Sequence, residues 1–179
     1  LRVERFVQTG VATRQDTLWT LPLNARAARI VTGNATVDPR LVDARLTGRL
    51  QLQGSRLAGD NLAMVVPGLA ARLVLRGDVS RGGYALAGPV AARGWHLQDL
   101  GTVNADAKIL LKFGAGVPWR LAANLGGSMP RVDNPTLTTI AGTGIRFAGG
   151  LRMGGGMPLV FERASLNASK LSLNVSGRL

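Results

Sequence analysis

The side chains able to carry out covalent or proton-transfer chemistry are few. His96 is the only histidine among 179 residues, and the one side chain whose ordinary titration falls near neutrality. It stands beside Trp95 and alternates with Leu97, the position of a solvated strand histidine. One histidine and no cysteine cannot supply the usual zinc ligand sets, and no Ser-His-Asp arrangement can be argued from them. The carboxylates Glu4, Asp16, Asp38, Asp43, Asp60, Asp78, Asp99, Asp106, Asp133 and Glu162 are scattered, and nothing nominates a glycosidase pair among them. Gly114-Ala115-Gly116 and Gly142-Thr143-Gly144 lack the third glycine of a dinucleotide fingerprint, and no Gly-Lys-Ser/Thr exists for a nucleotide loop. The chain reads as a non-enzyme without metal or cofactor.

What the sequence does carry is a periodicity of two, the mark of strands with one apolar face. Leu46, Leu50 and Leu52 share a parity against Arg45, Arg49, Gln51 and Gln53. The alternation returns at Leu69, Ala71, Leu73, Leu75 and Val79, with Arg72 and Arg76 on the other side. Its longest run is Val103, Ala105, Ala107, Ile109, Leu111 and Phe113, followed by Trp119, Leu121, Ala123 and Leu125. Ile145, Phe147, Leu151 and Met153, then Leu159 and Phe161, then Leu171, Leu173, Val175 and Leu179 continue it. Turn signals stand between runs at Asp38-Pro39, Gly59-Asp60-Asn61, Pro67-Gly68, Arg81-Gly82-Gly83, Gly114-Ala115-Gly116, Asn134-Pro135 and Gly154-Gly155-Gly156. Connections this short leave no room for parallel crossovers, so the expectation is an antiparallel meander of about 10–13 strands. Only Pro135 to Ala141 reads as a short helix or irregular insertion.

A weak repeat runs through the strands, apolar-x-Gly-x-apolar, centred on Gly48, Gly77, Gly88, Gly149 and Gly177. Its glycines fall on the apolar face, where a missing side chain leaves room for a bend or a close backbone approach. Residues 1–179 are taken as one β-groove segment, repeat-like over 41–179 and least defined over 1–40. A chain that starts at Leu1 and stops at Leu179 inside a patterned run reads as a piece of a longer polypeptide.

Composition narrows the partners. Hydrophobic residues make up 46% of the chain and aromatics 4%, so a core is affordable and must be aliphatic. The longest nearly apolar stretch, Leu62 to Ala71, is far short of the roughly 20 residues of a membrane-spanning helix. Scattered aromatics do not make the two girdles of a membrane barrel. Asn34, Asn167 and Asn174 head glycosylation triplets, which arise often by chance. Net charge is +12, and 19 of 22 cations are arginine. Such a surface attracts polyanions. Single-strand nucleic-acid platforms interleave aromatics with cations, and Trp95 and Trp119 stand nearly alone, so no nucleic-acid partner is expected. An aliphatic sheet face this long favours an open, elongated trough over a closed barrel.

Tyr84-Ala85-Leu86-Ala87-Gly88-Pro89-Val90-Ala91-Ala92-Arg93-Gly94-Trp95, Gly101-Thr102-Val103-Asn104-Ala105-Asp106-Ala107-Lys108 and Pro118-Trp119-Arg120-Leu121 together resemble the repeat region of the AsmA, TamB and YdbH family of envelope proteins, most closely its YdbH-like branch. The resemblance covers most of residues 41–179. It implies a β-taco, or repeating groove, in the periplasmic part of an inner-membrane-anchored protein of double-membraned bacteria. The implied task is intermembrane phospholipid transport, with acyl chains conducted toward the outer membrane, and the implied partners are both membranes and other envelope proteins. The residues expected to line the groove are Leu46, Leu50, Leu52, Leu73, Leu75, Ile109, Leu111, Phe113, Leu121, Phe147, Leu151, Leu171 and Leu173. Arg45, Arg49, Arg72, Arg76, Arg120 and Arg152 alternate with that wall and are expected outward or at the rim, able to meet headgroup phosphate. The alternative reading is a scaffold or chaperone for outer-membrane protein assembly that works by strand addition at a free sheet edge.

Overall fold

A computed structural model describes residues 2–31 and 38–178 and places them in one antiparallel sheet of 13 strands that does not close into a barrel. Three short strands, β1 (Arg2–Glu4), β2 (Val7–Gln8) and β3 (Thr13–Gln15), all pair along the same edge of β4 (Leu18–Val31). From β4 the sheet grows strictly in chain order through β5 (Val42–Gln53), β6 (Arg56–Val66), β7 (Leu69–Asp78), β8 (Gly83–Leu97) and β9 (Gly101–Gly114). It continues through β10 (Val117–Val132), β11 (Ile145–Gly154), β12 (Met157–Asn167) and β13 (Ser172–Arg178). The expected all-β antiparallel meander is what forms, and the segment expected as a short helix or irregular insertion is the helix α1 (Pro135–Ala141), between β10 and β11.

Short turns explain the topology, because antiparallel neighbours need only a few residues to connect. Five of the seven turn signals fall at strand ends or at the start of α1, and a sixth, Asp38-Pro39, lies in a 3-10 turn shortly before β5. The seventh is corrected: Gly59-Asp60-Asn61 lies inside β6, where the pairing with β7 slips between Gly59 and Leu62. The extra residue of this bulge moves the apolar parity from Leu57 and Gly59 to Leu62, Met64 and Val66, so a break in the pattern looked like a turn.

At α1, the Asn134 side chain accepts a bond of 2.8 Å from the Leu137 N–H, and Pro135 sits where its missing N–H costs nothing. The Asn134 amide also donates to the Asp99 carbonyl at 3.1 Å, tying the helix start to the β8–β9 turn. The β7–β8 turn is held by Asp78, whose Oδ1 accepts from Ser80 Oγ at 2.6 Å and from the Ser80 and Arg81 N–H groups. These bonds, led by the Ser80 hydroxyl, hold the Asp78 carboxyl below the ordinary aspartate range. Its contribution to the turn is present above the ordinary range and lost as pH falls through the lowered value. Ser80→Ala is expected to move the Asp78 titration upward, followed by carbon-detected NMR.

Gly88 shows why glycine recurs on the apolar face. Its φ is +152°, and a Cβ there would lie 2.1 Å from the Arg72 carbonyl oxygen of the neighbouring strand. Gly88→Ala meets both an unfavoured backbone region and a backbone atom that cannot yield. We expect it to lower stability by about 2–4 kcal/mol in urea denaturation, against about 0.5–1 kcal/mol for Ala87→Gly beside it on the opposite face, where only chain entropy is lost.

Candidate functional site

Cross-strand register decides which alternating residues become one surface. Leu21, Leu50, Gly59, Leu75, Leu86, Leu111, Leu121 and Met153 oppose one another in turn from β4 to β11. A parallel row runs Ala25, Leu46, Met64, Ala71, Val90, Ala107, Leu125 and Gly149 across the same strands. Further rows contain Ile109, Ala123, Leu151 and Phe161, and Gly127, Phe147, Leu166 and Leu173. The result is one apolar face from β4 to β13. Nine strand spacings of about 4.8 Å make it on the order of 43 Å long.

Twelve of the thirteen expected lining residues lie within strands on this face. Leu50, Leu75, Leu111 and Leu121 share the first row and Leu46 the second, while Ile109 and Leu151 are joined by Ala123. Phe147 and Leu173 meet through Leu166. Leu52 and Phe113 stand nearer the turn ends, where Phe113 stacks on Tyr84 at 5.5 Å between ring centroids. Leu171 keeps the right parity but precedes β13, its carbonyl accepting from Ala168 N–H at 2.8 Å in the β12–β13 connection.

The face is not uniform. Around Leu73 it is filled: Leu62 and Leu73 are 4% and 5% exposed, with Leu23, Leu46, Leu50, Met64, Leu75 and Leu86 among the side chains packed against them. Toward β13 it opens. A cavity of about 350 Å³ is lined there by Leu125, Phe147, Leu151, Phe161, Leu166 and Leu173, almost entirely apolar. A second depression of about 540 Å³ crosses β7 to β10, where Ala71, Val90, Ala107 and Leu125 line it with flanking residues that include Arg72 and Lys108. Leu166 escaped the sequence reading because a slip between Phe161 and Ala164 changes the parity of β12.

The six singled-out arginines project to the opposite face, as alternation requires. Arg76 Nη2 pairs with Asp60 at 2.7 Å, and Arg152 Nε with Glu162 at 3.1 Å. Arg45 opposes Arg26, Arg49 opposes Pro22, Arg72 opposes Ala63 and Arg120 opposes Lys112. These exposed pairs are worth little in stability, each at most about 1 kcal/mol. His96 Nδ1 lies 3.4 Å from Asp133 Oδ2, whose other oxygen takes the Arg131 Nε at 2.7 Å. Among the described residues no group of three His, Cys, Asp or Glu side chains could hold a metal ion, and no helix is long and apolar enough to cross a membrane.

The fold and site define an open β-meander with one aliphatic face and one basic face. Comparison with known proteins finds no matching family model, no matching curated protein and no matching solved structure.

Proposed function

We propose that the chain is a non-enzymatic lipid conduit whose aliphatic face shelters phospholipid acyl chains. The observation that carries this reading is the row of eight opposed residues from Leu21 to Met153, which continues beside an open apolar cavity at β10–β13. A surface of this kind binds hydrocarbon through area alone: each methylene removed from water contributes about 0.8 kcal/mol, and sixteen carbons on the order of 10 kcal/mol before entropy losses. Where the face is open, no polar anchor fixes an acyl chain at one position, which favours sliding over capture. The resemblance to the AsmA, TamB and YdbH family supports placing this groove in the periplasm, with the inner and outer membranes as lipid source and sink. The test is native mass spectrometry of the purified protein. Phospholipid masses retained on the folded protein are expected; a lipid-free protein that also fails to take up added phospholipid would sink the proposal.

A second reading has its own observation. β13 is exposed along its whole length and pairs only with β12 among the described residues, so its outer edge offers a row of backbone groups to an added strand. Leu173 and Val175 beside that edge are 46% and 41% exposed. On this reading the protein is a scaffold for outer-membrane strands. Hydrogen exchange separates the two: protection of the β13 amides by an unfolded outer-membrane strand peptide supports strand addition, whereas protection along the β10–β12 face by phospholipid supports the conduit.

A further inference from the structure

The outer face carries a second candidate site, whose three cations alternate away from the groove. Lys112 on β9 stands directly opposite Arg120 on β10. Like charges in directly opposed positions repel, so this pairing costs stability on its own. Among the described residues neither cation has an ion-pair partner. Arg152 on β11, paired with Ala122 two residues along from Arg120, brings a third positive charge to the same place. All three residues line one cavity of about 240 Å³, whose apolar part is Leu110, Ala122 and Met157 together with Leu121 and Met153 of the groove-face row.

The nearest acid does not neutralise this cluster. Glu162 engages Arg152 only through Nε, at 3.1 Å, and lines the adjoining cavity rather than this one. The two terminal nitrogens of Arg152 therefore keep their donors. Two other outer-face cations meet acids: Arg76 has Asp60, and Arg93 grips both oxygens of Asp106 at 2.7 and 2.9 Å. The other directly opposed pair of like charges, Arg26 and Arg45, is flanked by Val7 and Val65 and gains no third cation across the sheet.

We propose that Lys112, Arg120 and Arg152 form a binding site for a phosphoryl group carried on a small or partly apolar body. Two guanidinium forks each match a pair of phosphate oxygens, and the Lys112 ammonium on the neighbouring strand adds a point charge. Three cations against one shared carboxylate suit a phosphate better than a single carboxylate ligand. Leu110, Ala122 and Met157 would receive the carbon attached to the phosphate. The ligand is either a free phosphate ester or a phospholipid headgroup presented by a bilayer, since both bring the same group.

The test compares two double variants that remove equal charge. Calorimetric titration with inorganic phosphate at fixed ionic strength is expected to show saturable binding to the wild type. Lys112→Gln with Arg120→Gln is expected to weaken it by about tenfold or more, and Arg26→Gln with Arg45→Gln to leave it unchanged. Because the first pair of substitutions relieves repulsion, its ligand-free thermal midpoint is expected to stay level or rise, which separates lost binding from lost folding. Sedimentation with phosphatidylcholine vesicles containing phosphatidylglycerol forms the second arm. Vesicle binding lost only in the Lys112/Arg120 variant identifies the headgroup as source; vesicle binding equal in both variants, alongside selective phosphate loss, identifies a free phosphate ester. Absence of saturable phosphate binding together with equal vesicle binding, or equal losses in both double variants, overturns the proposal.

Discussion

Replacing Leu151 by arginine is expected to abolish phospholipid co-purification while leaving the sheet folded. Leu151 is half-buried, opposite Ala123 on one side and Phe161 on the other, and lines the open 350 Å³ cavity together with Phe161. An arginine there extends its stem across the apolar surface and keeps its guanidinium wet, so the fold survives what the ligand does not. If the intruding side chain displaces five methylenes, about 4 kcal/mol of burial is forfeited, roughly a thousandfold in affinity. Leu173→Arg, at the exposed edge strand, is expected to act in the same direction with a smaller effect. The control is Val74→Arg: Val74 is 38% exposed and alternates onto the other face, so lipid should be retained. Lipid loss in the control as well would mean that added charge, not a blocked groove, controls loading.

Much of this architecture was legible because the strands from β9 to β11 alternate cleanly. Ile109, Leu111 and Leu121 are interleaved with Lys108, Lys112 and Arg120, and such alternation fixes which residues of a strand face the core, since a one-residue slip would turn the apolar set outward. The unread parts have physical causes. β4 presents Leu21, Leu23, Ala25 and Ala27, but Pro22 and the small alanines blunt the contrast that marks a strand. Its Pro22 is tolerated although β4 is an interior strand, and the backbone beside it is met by the Gln8 side chain, which donates to the Pro22 carbonyl at 3.0 Å. Bulges account for the rest: one at Gly59/Leu62 and one at Phe161/Ala164 exchange inward and outward parity within a single strand. Of the basic cavity, Arg120 and Arg152 were legible as outward cations, but their convergence with Lys112 was not, since it depends on register between strands and not on spacing along one.

Register also separates the filled part of the apolar face from the open part, and truncation should reveal the difference. Leu73→Ala is expected to cost about 2–4 kcal/mol in urea denaturation with an unchanged slope, because Leu73 is 5% exposed and deletion leaves a void beneath its neighbours. Leu173→Ala, at 46% exposure, is expected to cost under about 1 kcal/mol. Arginine at position 73 should unfold the chain, since it would place an unpaired charge in that packed cluster. The contrast bears on the proposed conduit: on that reading an acyl chain enters at β10–β13, whereas passage over β6 and β7 requires the leucines around Leu73 to move aside. A cost below about 1 kcal/mol for Leu73→Ala would show that those leucines are already loosely packed, and the path for lipid would then run the length of the sheet without a constriction.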